Sequence, residues 1–452
     1  MRRRDAIRIG AGAGYGGDRF EPAIELVEKG NIDYLVYECM AERTIALYQQ
    51  DKLRDPSLGY NPQLERRLAP VLRACKEKGV KVITNMGAAN PEGALRKVKD
   101  VATSLGIKAL KVAAIVGDDV LDRLPEFSES PILETGLKVR DYLERAVSAN
   151  AYLGAEPIVE ALEAGAEVIL TGRVADPSLF LAPMMYEFGW SADDWERLGR
   201  GTVVGHLLEC AGQVTGGYFA DPGYKDVPRL WELGFPIAEV PAEGEPIITK
   251  PEGSGGIVTP ATCKEQLLYE IHDPSAYFTP DCVADFSGVH FEQVGPDRVK
   301  VIGGWGRERP RSLKVSIGYR DSFIGEGQIS YAGSGAINRA RLAAEIVRRR
   351  LELRGIKLDE SRFDLIGIDS LHGDWISRGK GEPYEVRLRV VGRTTSKAVA
   401  MAIGEEVETL WTNGPAGGGG ATKSVREVIG IVSTFIPRES VRTRVVVEEV
   451  GA

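Results

Sequence analysis

Five short apolar runs, at 6–10, 32–37, 80–84, 108–116 and 167–170, alternate with stretches of helical periodicity, and each closes in glycine or small polar residues. Strands that alternate with helices need crossover connections, which are right-handed and lay the strands parallel in one sheet. Few other arrangements accept such a pattern. It predicts an α/β fold: an N-terminal, mainly parallel, Rossmann-like sheet with helices on both faces. Ligands of such sheets bind outside the carboxyl ends of the strands. Those ends carry the polar chemistry here: Glu38 after the second run, N-M-G-A-A-N-P with Asn85 and Asn90 after the third, Gly117-Asp118-Asp119 after the fourth, and T-G-R-V-A-D at 171–176 after the fifth.

The first run leads through Gly10-Ala-Gly12-Ala-Gly14-Tyr-Gly16-Gly17 into an amphipathic stretch at about 19–29. A strand, a glycine turn and a helix N-terminus form an anion site from outward N–H groups and the helix dipole, which makes Gly12 and Gly14 substrate-binding candidates. The glycines alternate, however, and depart from G-x-G-x-x-G. No nucleotide cofactor is required, although Glu38 stands where a dinucleotide fold keeps its ribose-binding acid. Asn85 and Asn90 either shape their turn or face a ligand. Arg173 has the fork geometry to clamp a carboxylate or phosphate. Asp176, before Pro177, reads equally as a ligand or as the N-cap of the next helix.

The densest stretch is G-H-L-L-E-C-A-G-Q-V-T-G-G at 205–217. On a helix His206, Glu209 and Cys210 share one face, and Gly212, Gly216 and Gly217 then turn the backbone, leaving Gln213 and Thr215 in a loop beside it. Each of the three also has a plain alternative as a core-facing residue.

Residues 222–262 are rich in Pro and Gly, which places a domain boundary at 225/226 and predicts a second, α+β domain over 226–452. Its signals are a hairpin at 289–302, helices near 336–353 and 396–410, and strands at 363–369 and 384–391. Two loops in it suit an anion: Lys250-Pro-Glu252-Gly-Ser254-Gly-Gly, and Asn413-Gly-Pro-Ala-Gly417-Gly418-Gly419-Gly420, the latter expected to open a helix near 423. A mobile lid is the alternative for the second loop.

A formal net charge of −8 excludes a general nucleic-acid surface. Arg2, Arg3 and Arg4 are followed by no apolar segment, and no run is long enough to span a bilayer, so neither a signal peptide nor a membrane partner is expected. Five scattered cysteines, Cys39, Cys75, Cys210, Cys263 and Cys282, with no C-x-x-C pair, fit a reducing cytoplasm. A homo-oligomer is expected on general prevalence.

Six ordered motifs together, G-A-G-x-G at 10–14, N-M-G-A-A-N-P at 85–91, T-G-R-V-A-D at 171–176, the 205–217 stretch, K-P-E-G-S-G-G-I-V-T-P-A-T at 250–262 and N-G-P-A-G-G-G-G-A at 413–421, resemble the acyclic terpene utilisation (AtuA) family. The resemblance covers nearly the whole chain. It implies a place in the catabolism of branched terpenoid acids handled as coenzyme A thioesters. Longer relatives carry a small ferredoxin-like domain after the last motif; this chain resembles the short form, which implies that such a domain is dispensed with or comes from a separate small subunit.

Residues and resemblance together predict a catabolic enzyme acting on a small anionic substrate, a carboxylate or an acyl-CoA thioester, by lyase, hydratase or hydrolase chemistry in a cleft between the two halves. Glu209 or His206 moves the proton; a variant uses Cys210 as nucleophile with His206 as its base. Substrate contacts are expected from the glycine loops and from Arg173, Lys250, Glu252 and Ser254. Two alternatives stand beside it. One is a metal-assisted enzyme with a divalent ion on Glu38, Asp176, His206 and Glu209, although H-x-x-E alone specifies no metal; the other is a noncatalytic subunit of a catabolic complex.

Overall fold

A computed structural model of the chain describes residues 5–377, 379, 381 and 383–451; Arg2 to Arg4 lie outside the described residues. The chain forms two compact units, Met1–Gly318 with Ile431–Ala452, and Tyr319–Gly430. In the first unit the predicted alternation is present. Its elements run β1 (Ala6–Ala13), α1 (Glu21–Lys29), β2 (Tyr34–Tyr37), α2 (Glu42–Arg54), α3 (Leu64–Lys78), β3 (Lys81–Thr84), α4 (Pro91–Ser104), β4 (Lys111–Val116) and β5 (Ala146–Ala151). They continue through α5 (Glu156–Glu163), β6 (Val168–Thr171), α6 (Asp176–Phe188), α7 (Trp195–Glu209), β7 (Ile237–Pro241), β8 (Ile247–Thr249) and α8 (Pro260–Leu268).

Strands β1, β2, β3, β6 and β4 lie side by side in that order, all parallel. Antiparallel strands extend this centre at both ends. β7, β8 and the hairpin Arg298–Ile302 with His290–Gly295 follow beyond β1, and Arg444–Glu449 pairs with β4. The fold is α/β, a ten-stranded mixed sheet with a parallel middle. Every residue of β2 and of β6 is buried, which is why these strands read as unbroken apolar runs instead of alternating ones.

Two differences from the sequence expectation bear on the site. The expected boundary at 225/226 is not where the compact units part, because β7 lies beyond it and still pairs with β1, Ala238 opposite Ile9. Strands of five and three residues in a Pro- and Gly-rich stretch carry little periodicity, and only their pairing identifies them. The first strand also runs to Ala13, so Gly12 belongs to the strand and not to a loop. A Cβ there would stand 2.7 Å from the Tyr37 ring. Its smallness admits the neighbouring strand's side chain.

In the second unit the order is strand, helix (Ala336–Leu353), strand (Glu360–Ile366), strand (Glu385–Thr394), helix (Lys397–Glu408), strand. Its sheet places Glu360–Ile366, Glu385–Thr394, Ser312–Ala332 and Gly419–Pro437 side by side, with Glu385–Thr394 antiparallel to both its neighbours. This is the split βαβ order of a ferredoxin-like unit, an α+β arrangement. The chain thus carries a ferredoxin-like unit over 319–430, upstream of the position where the resemblance places the additional domain. Residues 419–437 form a strand where a helix near 423 was expected. The run Val-Ile-Gly-Ile-Val-Ser-Thr-Phe-Ile at 428–436 is rich in β-branched residues, and that preference prevails over the glycine-then-lysine signal of a helix start.

Helices α6 and α7 approach closely at Gly205, where a Cβ would stand 2.5 Å from the Pro177 carbonyl oxygen. Gly205→Ala is expected to destabilise the first unit by about 1–3 kcal/mol, seen as a lower denaturant midpoint at unchanged slope. An unchanged midpoint would mean that the two helices separate freely.

Candidate functional site

A cleft of about 620 Å³ opens within the first unit, where residues following the carboxyl ends of β1 and β2, the start of α6 and the end of α7 meet. Six carboxyl side chains line it, Asp18, Glu38, Glu42, Asp176, Glu209 and Glu270, with Arg19 as the lining cation.

The wall from β1 is the loop at 14–19. Gly14 is there for close approach: a Cβ would lie 2.4 Å from the backbone carbon of Cys210. Its N–H donates to Asp18 Oδ2 at 3.0 Å, and the Arg19 N–H to Asp18 Oδ1 at 2.9 Å. On the outer side the buried Arg67 guanidinium donates to the carbonyls of Gly16, Asp18 and Arg19 at 3.1, 2.8 and 3.2 Å. The loop's own carboxylate therefore occupies the first N–H that an anion nest would offer.

Glu38 follows β2. Its Oε1 accepts from the Met40 N–H at 2.8 Å and from Asn85 Nδ2 at 2.9 Å, while Asn85 Oδ1 accepts from the Cys39 N–H at 2.8 Å. Burial, with the neighbouring Asp176 charge, pushes the Glu38 carboxyl well above the usual range. Asn85 is thus the partner that fixes Glu38. Asn90 is a cap: its Oδ1 accepts from the Gly93 N–H at 3.0 Å at the start of α4.

Arg173 is 2% exposed and does not line the cleft. Nη1 donates to the Met40 carbonyl at 2.6 Å, Nη2 to Asp176 Oδ1 at 2.9 Å, and the guanidinium lies 4.3 Å from the Tyr152 ring centre. Nη1 and Nη2 are turned onto the protein and Nε is buried without a partner, so the expected clamp on a substrate carboxylate is replaced by an internal one. Asp176 is the first residue of α6, not its N-cap, which is Ala175. Burial raises the Asp176 carboxyl, Arg173 opposes it, and Glu209 adds to the rise, so it is pushed up to about 7. Glu42 goes the other way. Burial raises it, but Arg173 and the Tyr152 hydroxyl hydrogen bond outweigh burial and hold it at about 2.

At the end of α7, His206 Nδ1 lies 2.6 Å from Glu209 Oε1 and Nε2 lies 3.2 Å from the Leu267 carbonyl oxygen. A carbonyl only accepts, so Nε2 carries a proton, and the second proton is shared with Glu209. Burial opposes a charged ring, yet the Glu209 carboxylate and the Leu267 carbonyl prevail and push His206 up. The ring is held between Tyr277 and Phe286, with centroids at 5.6 and 5.4 Å. Glu209 itself is 9% exposed, and its Oε2 is buried with no partner. Cys210 is the residue that ends the helix. Burial, then the Glu209 charge, raises its thiol far above the ordinary value, and both nitrogens of His206 are engaged elsewhere. The geometry gives no support to the thiol variant.

The remaining candidates divide. Gln213 lines the cleft, whereas Thr215 is buried and donates to the Gly212 carbonyl at 3.1 Å. Lys250 is buried and paired, with Nζ 3.0 Å from the Ser254 carbonyl oxygen of its own loop and 3.1 Å from Oδ2 of Asp297 in the hairpin turn; Glu252 is exposed there. Ser254 donates to the Pro251 carbonyl at 2.6 Å. Neither Lys250, Glu252 nor Ser254 lines the cleft. Asn413 ends a short helix of the second unit, and Gly417, Gly418 and Gly419 lead into the strand Gly419–Pro437. Among the residues the sequence reading does not single out are Asp18, Glu42, Tyr152 and Glu270; the first three follow strands by a few residues, and Glu270 follows the end of α8.

Among the described residues no group of three or more His, Cys, Asp or Glu side chains is arranged to hold a metal ion, and both nitrogens of His206 are already hydrogen-bonded. The proposed ligand set does not fit a divalent ion. Among the described residues no helix is long and apolar enough to cross a membrane.

Fold and cleft together define an α/β protein with a cleft, lined by carboxyl groups, at the carboxyl edge of a parallel sheet. A family model described as "Acyclic terpene utilisation family protein AtuA" matches residues 7–447, and the chain belongs to that family. No curated protein and no solved structure shows a significant match. The family takes its name from a catabolic process.

Asp176 ionises near pH 4 in an unfolded chain and near 7 in the fold. The fold binds this proton more tightly, so the contribution to stability is full below about pH 4 and is lost as the pH rises through about 7. In Asp176→Asn, denaturation measured at stepped pH is expected to show a flatter fall between pH 5 and 8 than in the parent protein; identical slopes would refute the assignment.

Proposed function

We propose that this protein is a catabolic enzyme that transfers a proton to or from a small carboxylic acid or acyl-CoA thioester bound in the cleft, as part of lyase, hydratase or hydrolase chemistry. The observation that carries the reading is Glu209, a cleft-lining residue with one carboxyl oxygen tied to a buried histidine and the other buried without a hydrogen-bond partner. A general acid or base works best when its pKa lies near the working pH, and burial moves Glu209 upward toward that range.

In this reading Oε2 takes or gives the proton, and Oε1 keeps its hydrogen bond to the imidazolium of His206 throughout. His206 is a positioning residue. Its Nε2–H to Leu267 and the two aromatic neighbours fix the ring, and the ring fixes Glu209. Arg173 is likewise a positioning residue, holding Asp176 by a hydrogen bond. Gln213 is available to orient the bound group, and the loop at 14–19 closes one wall. The family's connection with terpene utilisation supports a branched acyl substrate, which the residues by themselves do not specify.

The test is turnover of branched acyl-CoA thioesters and their free acids by the purified chain, followed by mass spectrometry of the products. Glu209→Gln is expected to lose about 10²–10⁴-fold in rate while keeping the secondary-structure spectrum of the parent protein at the assay temperature. Full activity in that variant would return Glu209 to a structural role. Absence of any turnover in the parent protein across the thioester panel would favour a noncatalytic subunit instead.

A further inference from the structure

The strand Gly419–Pro437 closes one side of its sheet: Ser312–Ala332 pairs with it inward, and no strand follows outward. Beyond 430 the outer side is taken up, where the Leu133 N–H donates to the Ser433 carbonyl at 2.9 Å, the Ser433 N–H to Glu134 Oε2 at 2.8 Å and the Thr434 hydroxyl to the Pro131 carbonyl at 2.8 Å. Over 421–429, among the described residues, no backbone hydrogen bond reaches a segment other than the neighbouring strand. Thr422, Lys423, Ser424, Arg426 and Glu427 are exposed there. An open edge of this length is a template for a further strand, and charges on an edge ordinarily blunt it. Where the charges stand therefore decides what this edge accepts.

Only every second residue of an edge turns its N–H and C=O outward, so in an antiparallel pair of identical strands about a twofold axis the facing residues have numbers of the same parity. Within 421–429 an axis at Lys423, Arg426 or Glu427 sets like charges face to face. An axis at Val425 places Lys423 opposite Glu427 of the other strand, twice, with Ser424 opposite Arg426; the remaining positions set no charge opposite another. Facing residues hold their Cβ atoms about 4.5–5.5 Å apart, within reach of such a pair. Each of the two already has an exposed partner on its own copy, Lys423 Nζ at 2.5 Å from Glu408 Oε2 and Glu427 Oε1 at 3.9 Å from Arg320 Nε. The new contact joins these into one alternating row, Glu408–Lys423–Glu427–Arg320, and a network is worth more than isolated surface pairs. Met401 and Trp411, 47% and 56% exposed, stand seven residues before and three after Glu408, at helical spacing from it, and supply apolar area beside the ladder. We propose that this edge pairs with the same edge of a second copy of the chain, antiparallel about a twofold at Val425, making a homodimer with one sheet continuous through two copies of the 319–430 unit. The pairing lies outside the cleft and is independent of what the cleft binds.

Sedimentation velocity of the full chain over a range of concentrations is expected to show a dimer. Lys423→Glu and Glu427→Lys each turn both cross-strand pairs from attraction to repulsion, and each is expected to raise the dimer Kd about 30-fold. The substituted side chains are exposed, so each variant is expected to keep the circular dichroism of the parent. Mixed in equal amounts, the two single variants set opposite charges face to face again at both positions, and they are expected to associate with each other more tightly than either does alone. The double variant Lys423→Glu/Glu427→Lys is expected to regain self-association in the same way. A parent chain that stays monomeric, a dimer untouched by either single reversal, or folded single variants that gain nothing on mixing would each overturn the pairing.

Discussion

The carboxyl groups of the cleft can be packed together only because one cation is buried with them. Arg173 leaves the end of β6 and reaches back across the strand ends, donating to Met40 beyond β2 and to Asp176 at the start of α6, with its face against Tyr152 beyond β5. Its own N–H donates to Asp118 beyond β4 at 2.8 Å, and Asp118 also takes Asn150 Nδ2 at 3.0 Å. A guanidinium does not discard its charge at any ordinary pH, so burying it is tolerable only where carboxylates and carbonyls surround it. They do so here, and burial, which works against the charge, is outweighed by Asp176, Tyr152, Glu42 and Glu38. The same contact that satisfies the arginine sets the ends of four strands in register around the site.

A second, smaller balance sits opposite. His206 and Glu209 share a proton on α7 in surroundings made of Tyr277, Phe286 and the Leu267 carbonyl. Arg173 serves Asp176 directly and Glu42 through its charge, and burial and mutual repulsion raise the proton affinity of Glu38 and Asp176 against that pull. Like charges that share a buried site behave this way generally. Proton affinity in the cleft is therefore set by how many carboxyls the fold gathers, and not by any one unusual residue.

That Glu38 and Asp176 stand at the ligand edge was legible in the sequence, because alternating strands and helices leave one edge of the sheet for ligands and both residues follow strands there; Glu209 stood out by the composition of its own stretch, and only the fold brings it to the same cleft. Direction was not legible. Spacing puts His206, Glu209 and Cys210 on one helical face, but α7 ends at Glu209, so Cys210 departs from that face as the capping residue. Arg173 has the composition of a clamp, and only the fold reveals that its grip is internal. Glu42 and Tyr152 carried no signal: Tyr152 follows Ala-Val-Ser-Ala-Asn-Ala, whose small residues do not announce a strand until Tyr152 N–H meets the Lys314 carbonyl at 2.9 Å. The ferredoxin-like unit was legible as separate helices and strands, but its order depends on pairing across distant residues, which no local pattern encodes.

Glycine-rich loops invite the same anion-binding reading wherever they occur, and this chain separates the sequence pattern from the chemistry. A nest binds an anion when its N–H groups converge on empty space. At 14–19 the N–H groups of Gly14 and Arg19 converge on Asp18, while Arg67 draws three carbonyls the other way. At 250–256 the buried lysine folds back on Ser254 and Asp297. In both loops glycine serves a close backbone approach: Gly14 against Cys210, and Gly256, at φ +84°, with a Cβ position 2.5 Å from the Thr215 carbonyl oxygen. A wall that has answered its own hydrogen bonds is rigid and indifferent to ligand charge.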